Sequence, residues 1–354
     1  MNTNETQLPE QLPPAENPAP AARRAYSSAF FLPALLFIVD FIVIFILQKL
    51  IDTTDSVALQ YIVGFMPMYL IAFPCCVLAA RLVPKMPPDK HSLSPVRIML
   101  YFFICQFLAI AGNFIGIVVN AVLSVILGVN TSATFLQEGI LGEQPLLFCF
   151  IAVCCAPVVE ELLFRKLLID RIRRYGNRTA IIISGLLFGL FHGNFTQFFY
   201  ATLIGFLFAY IYTSTGKIQY TILLHMLLNF FGTAVPMLVN KRIDNNALME
   251  ALQTAMDALQ QSLVSGQAMD EANQQLNGLL GEMKPLLIMA AVNYGLAFAG
   301  LITLIVRRKY FKLDPPVTPL PKRTHLSVIF FNFGILLAAG LCIFQFINQI
   351  YGIL

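Results

Sequence analysis

The chain reads as an all-α protein, a polytopic transmembrane helical bundle of about eight or nine spans. Three observations carry that reading. Hydrophobic residues make up 58% of the 354, charged residues only 12%, and mean hydropathy is +0.73, whereas soluble domains carry roughly a quarter charged residues. The charges are bunched between long apolar runs, the pattern of helices that close their own backbone hydrogen bonds in lipid. The short alternating segments of a transmembrane barrel are not visible.

Residues 1–26 are rich in Pro, Ala, Glu, Gln and Asn and read as a disordered cytoplasmic tail. Apolar runs follow near 30–50, 57–80, 98–128, 145–168, 179–194, 196–214, 218–239, 285–306 and 327–352. The first is longer than a signal-peptide core and lacks a clear small-residue cleavage site, so a retained transmembrane helix is expected. The fifth is short for a full span. Residues 27–240 form the main bundle and 285–354 two further spans. Between them, 241–284 reads as two amphipathic extracytoplasmic helices, with Leu248, Leu252, Leu259 and Leu263 on one face before Ser265-Gly266.

Basic residues alternate between loops. Arg23 and Arg24, then Arg81 to Arg97, Lys166 to Arg178, Lys217 and Arg307 to Arg323 fall on one side, while Asp52, Asp55, Glu138 and Glu143 fall on the other. The positive-inside rule puts the N-terminus in the cytoplasm. The net charge of +4 is thus topological, and no nucleic-acid partner is expected. The seven cysteines sit in apolar runs at unpaired spacings and read as small buried hydrophobes.

Ionisable side chains in a bilayer are costly, so each calls for a reason. Three runs carry a cluster: Glu160-Glu161-x-x-x-Arg165, Phe188-x-x-x-His192 and His225-x-x-x-Asn229. Measured from Arg171, Arg178 and Lys217 at about 1.5 Å per residue, Glu160, His192 and His225 lie roughly 16, 21 and 12 Å deep. That is the middle of a core roughly 30 Å thick. Glu160 and Glu161 are about 100° apart on a helix and are not expected to face one spot. Glu161 precedes Arg165 by four residues, the favourable order for an ion pair, which leaves Glu160 facing the cavity. Gly185, Gly189 and Gly193 form a small-residue stripe for close helix approach. Pro157 frees a backbone carbonyl one turn before Glu160.

A carboxylate and an imidazole can activate water, and a second imidazole with a nearby amide can stabilise an oxyanion. These are the parts of an amide hydrolase. Ser184 lacks the acid needed for a nucleophilic triad, and there is no glycine-rich phosphate loop. Two mechanisms stay open. In one, Glu160 is the general base with His192, and His225 and Asn229 form the oxyanion hole. In the other, Glu160, His192 and His225 ligate zinc, although the HExxH spacing is absent.

In this order the three motifs resemble those of the CAAX-processing and bacteriocin-immunity (CPBP, or Abi) family of intramembrane proteases, over about residues 145–235. The resemblance implies an intramembrane endopeptidase acting on a lipidated or membrane-associated peptide, in CAAX-type processing or bacteriocin immunity. It implies Glu160 as catalytic glutamate supported by Glu161 and Arg165, His192 as water activator, and His225 and Asn229 as oxyanion stabilisers. Members are described both as metalloproteases and as glutamate-dependent. The expected location is a bacterial plasma membrane. Two other classes compete: a non-catalytic scaffold or immunity protein on the same fold, and a proton-coupled transporter that would recruit Asp40 but lacks an inverted repeat.

Overall fold

The computed structural model describes residues 17–51, 56–128, 144–243, 245–265 and 269–351. The expected tail (residues 1–16) and the acidic loops holding Asp52, Asp55, Glu138 and Glu143 lie outside these. The regular structure among the described residues is all helical: α1 (Ala19–Leu50), α2 (Val57–Ala80), α3 (Pro95–Leu127), α4 (Pro145–Tyr175), α5 (Asn177–Leu190), α6 (Phe195–Thr215), α7 (Ile218–Asn240), α8 (Asn245–Ser265), α9 (Met269–Arg307), α10 (Lys322–Phe330) and α11 (Phe333–Tyr351). Among the described residues, eight helices are long and apolar enough to cross a membrane, and α5, at 14 residues, is a shorter apolar helix. The polytopic all-α bundle is therefore as expected.

Two boundaries and one helix face differ from the sequence reading. Helix α1 begins at Ala19, inside the expected tail, because Ala22, Ala25 and Tyr26 pack into the core. The division at 285 falls within α9, which runs unbroken through Pro285. On α8 the half-buried residues are Ala247, Leu248, Ala251, Ala255 and Ala258, while Leu252 and Leu259 are exposed. Small side chains, more than the leucine stripe, allow the close approach of α8 to α9.

The basic loops gather at one end of the bundle. Arg171 on α4 donates from Nε to the Ala80 carbonyl that ends α2 (3.0 Å), and the His91 N–H donates to the Thr215 carbonyl. The Tyr26 hydroxyl and His325 Nε2 are 2.5 Å apart. Asp170 accepts from Tyr212 Oη (2.6 Å) and Lys166 Nζ (2.9 Å), which joins α4 to α6. The main core lies where α1, α4, α5 and α6 meet, around Leu36, Phe164, Leu168 and Phe188.

Proline shapes three of the spans in one way. Helices α2, α4 and α7 each contain a five-residue π turn, Met68–Ala72, Ile151–Cys155 and Phe230–Ala234. In each, the next N–H closes the wide turn, Phe73 to Met68, Ala156 to Ile151 and Val235 to Phe230. The residue after that is proline: Pro74, Pro157 or Pro236. A proline ring clashes with the carbonyl four residues back and has no N–H to offer, so the turn before it widens. In α4 a second π segment, Leu162–Ile169, follows after a short α-helical stretch. The six residues Ala156–Glu161 between the two segments carry both glutamates. π segments of this kind recur at functional sites.

Candidate active site

Glu161 is the fixed point of the site. Its side chain is fully buried, as is that of Arg165, whose Nε lies 3.1 Å from Glu161 Oε2. The predicted pairing is present. Its supports were not legible in the sequence. The guanidinium carbon sits 4.4 Å from the Phe188 ring centroid and 5.5 Å from that of Phe208. Arg165 Nη2 also reaches the Gly205 carbonyl at 3.5 Å. An arginine can occupy such a place because its planar cation stacks on aromatic faces while pairing with a carboxylate at its edge.

His225 lies between the two glutamates. Its Nδ1 is 3.0 Å from Glu161 Oε1, and its Nε2 is 3.7 Å from Glu160 Oε2. The expectation that carboxylates 100° apart would not face one group is therefore corrected. An imidazole has two nitrogens on different edges of its ring, and each edge meets one carboxylate. Glu160 differs from Glu161 in access, with 15% of its side chain exposed against none. At 3.7 Å no direct hydrogen bond joins Glu160 to His225.

His192 does not lie on a transmembrane helix, contrary to expectation. Helix α5 stops at Leu190, and His192 occupies the turn that follows. Gly193, with φ of 63°, turns the chain out of the helix, and the Asn194 side chain caps α6 by accepting from the Gln197 N–H. Gly193 therefore belongs to the turn. Of the predicted stripe, Gly185 and Gly189 meet α6, where added methyl groups would strike the Phe206 backbone and the Phe198 carbonyl. His192 Nδ1 lies 2.9 Å from the Phe188 carbonyl. A carbonyl only accepts, so Nδ1 carries the proton and neutral His192 presents Nε2 as an acceptor. Both imidazoles stand edge-on to the Phe188 ring, with centroids at 5.2 Å for His192 and 5.6 Å for His225.

Asn229 donates from Nδ2 to the Ala152 carbonyl (2.8 Å). In the π register of Ile151–Cys155, Ala152 would receive the N–H of residue 157, which is proline. The side chain of α7 thus supplies the donor that Pro157 lacks, and one amide N–H of Asn229 remains. Ser184 Oγ donates to the Phe164 carbonyl (2.9 Å) and is buried. Asp40, on α1, is buried. Among the described residues, no three His, Cys, Asp or Glu side chains converge as metal ligands. The zinc set of Glu160, His192 and His225 expected as an alternative is therefore not assembled as a ligand cluster in this arrangement.

Fold and site together define a class: a polytopic helical membrane protein whose fourth and seventh helices, with the turn after the fifth, bring a carboxylate pair, an arginine and two imidazoles around one phenylalanine. The comparisons narrow it. Residues 142–231, which hold all six predicted site residues, match the family model described as type II CAAX prenyl endopeptidase Rce1-like. A 169-residue stretch is 24% identical to the candidate membrane peptidase YdiL of Bacillus subtilis (strain 168), covering 46% of this chain and 68% of that protein. No solved structure matches. The motif-bearing segment is thus similar to CAAX-processing peptidases.

Proposed function

We propose that the chain is an intramembrane endopeptidase that hydrolyses a peptide bond in a lipidated or membrane-associated peptide, using water activated by Glu160. The observation that carries this is the inequality of the two glutamates around His225. Glu161 is wholly buried and committed to Arg165 and His225, while Glu160 keeps access and has no ion-pair partner closer than 3.7 Å. A general base needs that freedom.

In this reading Glu160 takes a proton from water, and the resulting hydroxyl adds to the scissile carbonyl. The second N–H of Asn229 faces the oxyanion. Glu160 then returns its proton to the departing amine as the tetrahedral intermediate collapses. His192 Nε2, an acceptor, orients the attacking water. His225, held by Glu161, lies close enough to Glu160 to pass a proton through one bridging water. Pro157 and the two π segments set the pitch that turns Glu160 and Glu161 toward opposite edges of one imidazole. CAAX-type processing or bacteriocin immunity in a bacterial plasma membrane, N-terminus in the cytoplasm, is the setting this activity suits.

The test is digestion of a library of lipidated and unlipidated peptides by protein in liposomes. Wild type should cleave, and Glu160→Gln, a nearly isosteric change, should lose at least about 100-fold with unchanged thermal stability. Cleavage by Glu160→Gln at the wild-type rate removes Glu160 as the base. Loss of cleavage on chelation, restored by a divalent metal, removes the metal-free mechanism.

A further inference from the structure

An apolar groove of about 560 Å³ runs along the outside of the bundle, away from the glutamates. Its walls are Ile182, Leu186 and Leu190 of α5 against Ile335, Ala339 and Cys342 of α11, with Phe30 of α1 also lining it. Ile182 and Phe330 are 46% and 56% exposed, so the groove opens sideways on the surface a bilayer would cover. Apolar cavities of this kind do not hold ordered water.

One end is different in kind. Thr179, Lys322 and His325 line it. Lys322 is exposed, as are Arg323 beside it in sequence and Arg178 at the start of α5. No acidic side chain lines the groove. None of these three cations forms an ion pair among the described residues. From Thr179 to Leu190 the wall is about 16 Å long at 1.5 Å per residue, close to half of a hydrocarbon core roughly 30 Å thick. The groove is therefore one leaflet deep, apolar along its length and cationic at the end where a headgroup would sit.

We infer that this groove is a binding site for one anionic phospholipid, an acyl chain lying between α5 and α11 with its phosphate at Lys322 and Arg323. The groove contains no residue of the proposed active site. The lipid would fill the gap between α5 and the α10–α11 arm, which otherwise meet across an open furrow. Clusters of basic residues at the membrane surface favour anionic lipids, and the chain alone gives no charge preference, so headgroup and tail can be tested separately.

The experiment is native mass spectrometry of the full chain released from nanodiscs of phosphatidylglycerol and phosphatidylcholine in equal amounts. Wild type is expected to retain one phosphatidylglycerol in preference to phosphatidylcholine. Lys322→Ala with Arg323→Ala should reduce that preference on the order of fivefold for each charge removed. Ala339→Phe, which places a ring in the groove from an exposed position, should expel the lipid of either headgroup. Ala339→Leu gives a milder filling if the aromatic variant fails to fold. Equal retention of the two lipids by wild type, or an undiminished adduct in both Ala339 variants, overturns the inference. So does displacement by a lipidated peptide that phosphatidylglycerol does not reverse, which would make the groove a substrate anchor.

Discussion

Asn229→Ala tests the link between Pro157 and the site. The amide of Asn229 donates to the Ala152 carbonyl at 2.8 Å, and the backbone N–H that would serve that carbonyl is absent at Pro157. Removing the side chain leaves a half-buried carbonyl without its donor. Unsatisfied polar groups cost about 1–3 kcal/mol when buried, and interhelical hydrogen bonds in membrane proteins average about 0.6 with a maximum of about 1.7. Ala152 is only partly shielded, so a loss of about 1 kcal/mol is expected. Pro157→Ala adds an N–H within reach of the same carbonyl and should rescue the Asn229→Ala protein. The two changes form a cycle in which the intrinsic helix preference of alanine over proline cancels. Unfolding of the four proteins in detergent, followed by helicity, should give a coupling of about 1 kcal/mol. Additivity within about 0.3 kcal/mol would refute the idea that Asn229 replaces the missing donor. Cleavage should not recover in the double variant, since the proposed oxyanion donor is lost with the side chain.

Arg165→Met strands the Glu161 carboxylate, which is fully buried. A loss of about 3–5 kcal/mol is expected, seen as failure to accumulate in membranes, and adding Glu161→Gln should recover much of it. Gly189→Ala places a methyl group 2.7 Å from the Phe198 carbonyl and against Thr202. It should cost about 1–3 kcal/mol by overpacking, while Gly295→Ala, which meets nothing within 4 Å, should be neutral or stabilising in the same thermal assay. Burial holds the His325 imidazole below its usual range. The unfolded chain therefore takes up this proton near pH 6.5 while the folded chain resists it, so stability is full above that pH and falls as pH drops toward the folded value. The melting temperature of wild type should decline more steeply between pH 7 and 5 than that of His325→Phe, and equal slopes would remove His325 as the cause.

The legible parts of this protein are those that depend on neighbours along the chain. Hydropathy found the spans, and the four-residue spacing from Glu161 to Arg165 gave an ion pair that is present. The same local logic failed for His192. The apolar run continues to residue 194, and only the positive φ of Gly193 with the Asn194 cap moves that histidine off the helix. It failed again for the two glutamates, because helical angles describe where side chains leave a helix and not where an imidazole from another helix will stand. The leucine stripe of α8 gave an amphipathic helix, but hydrophobic periodicity does not show whether lipid or another helix covers a face.

What the sequence determined by itself is therefore the class of molecule and the inventory of its expensive groups. An uncompensated charge in an apolar run is visible wherever it falls, because its cost does not depend on the fold. Only the tertiary structure set the geometry: that Arg165 stacks on Phe188 and Phe208 while pairing with Glu161, that Glu160 keeps its access, and that Asn229 supplies the hydrogen bond Pro157 withholds. Each of those depends on atoms from separate helices meeting within about 4 Å, a distance set by packing across the bundle and by no feature of any one segment.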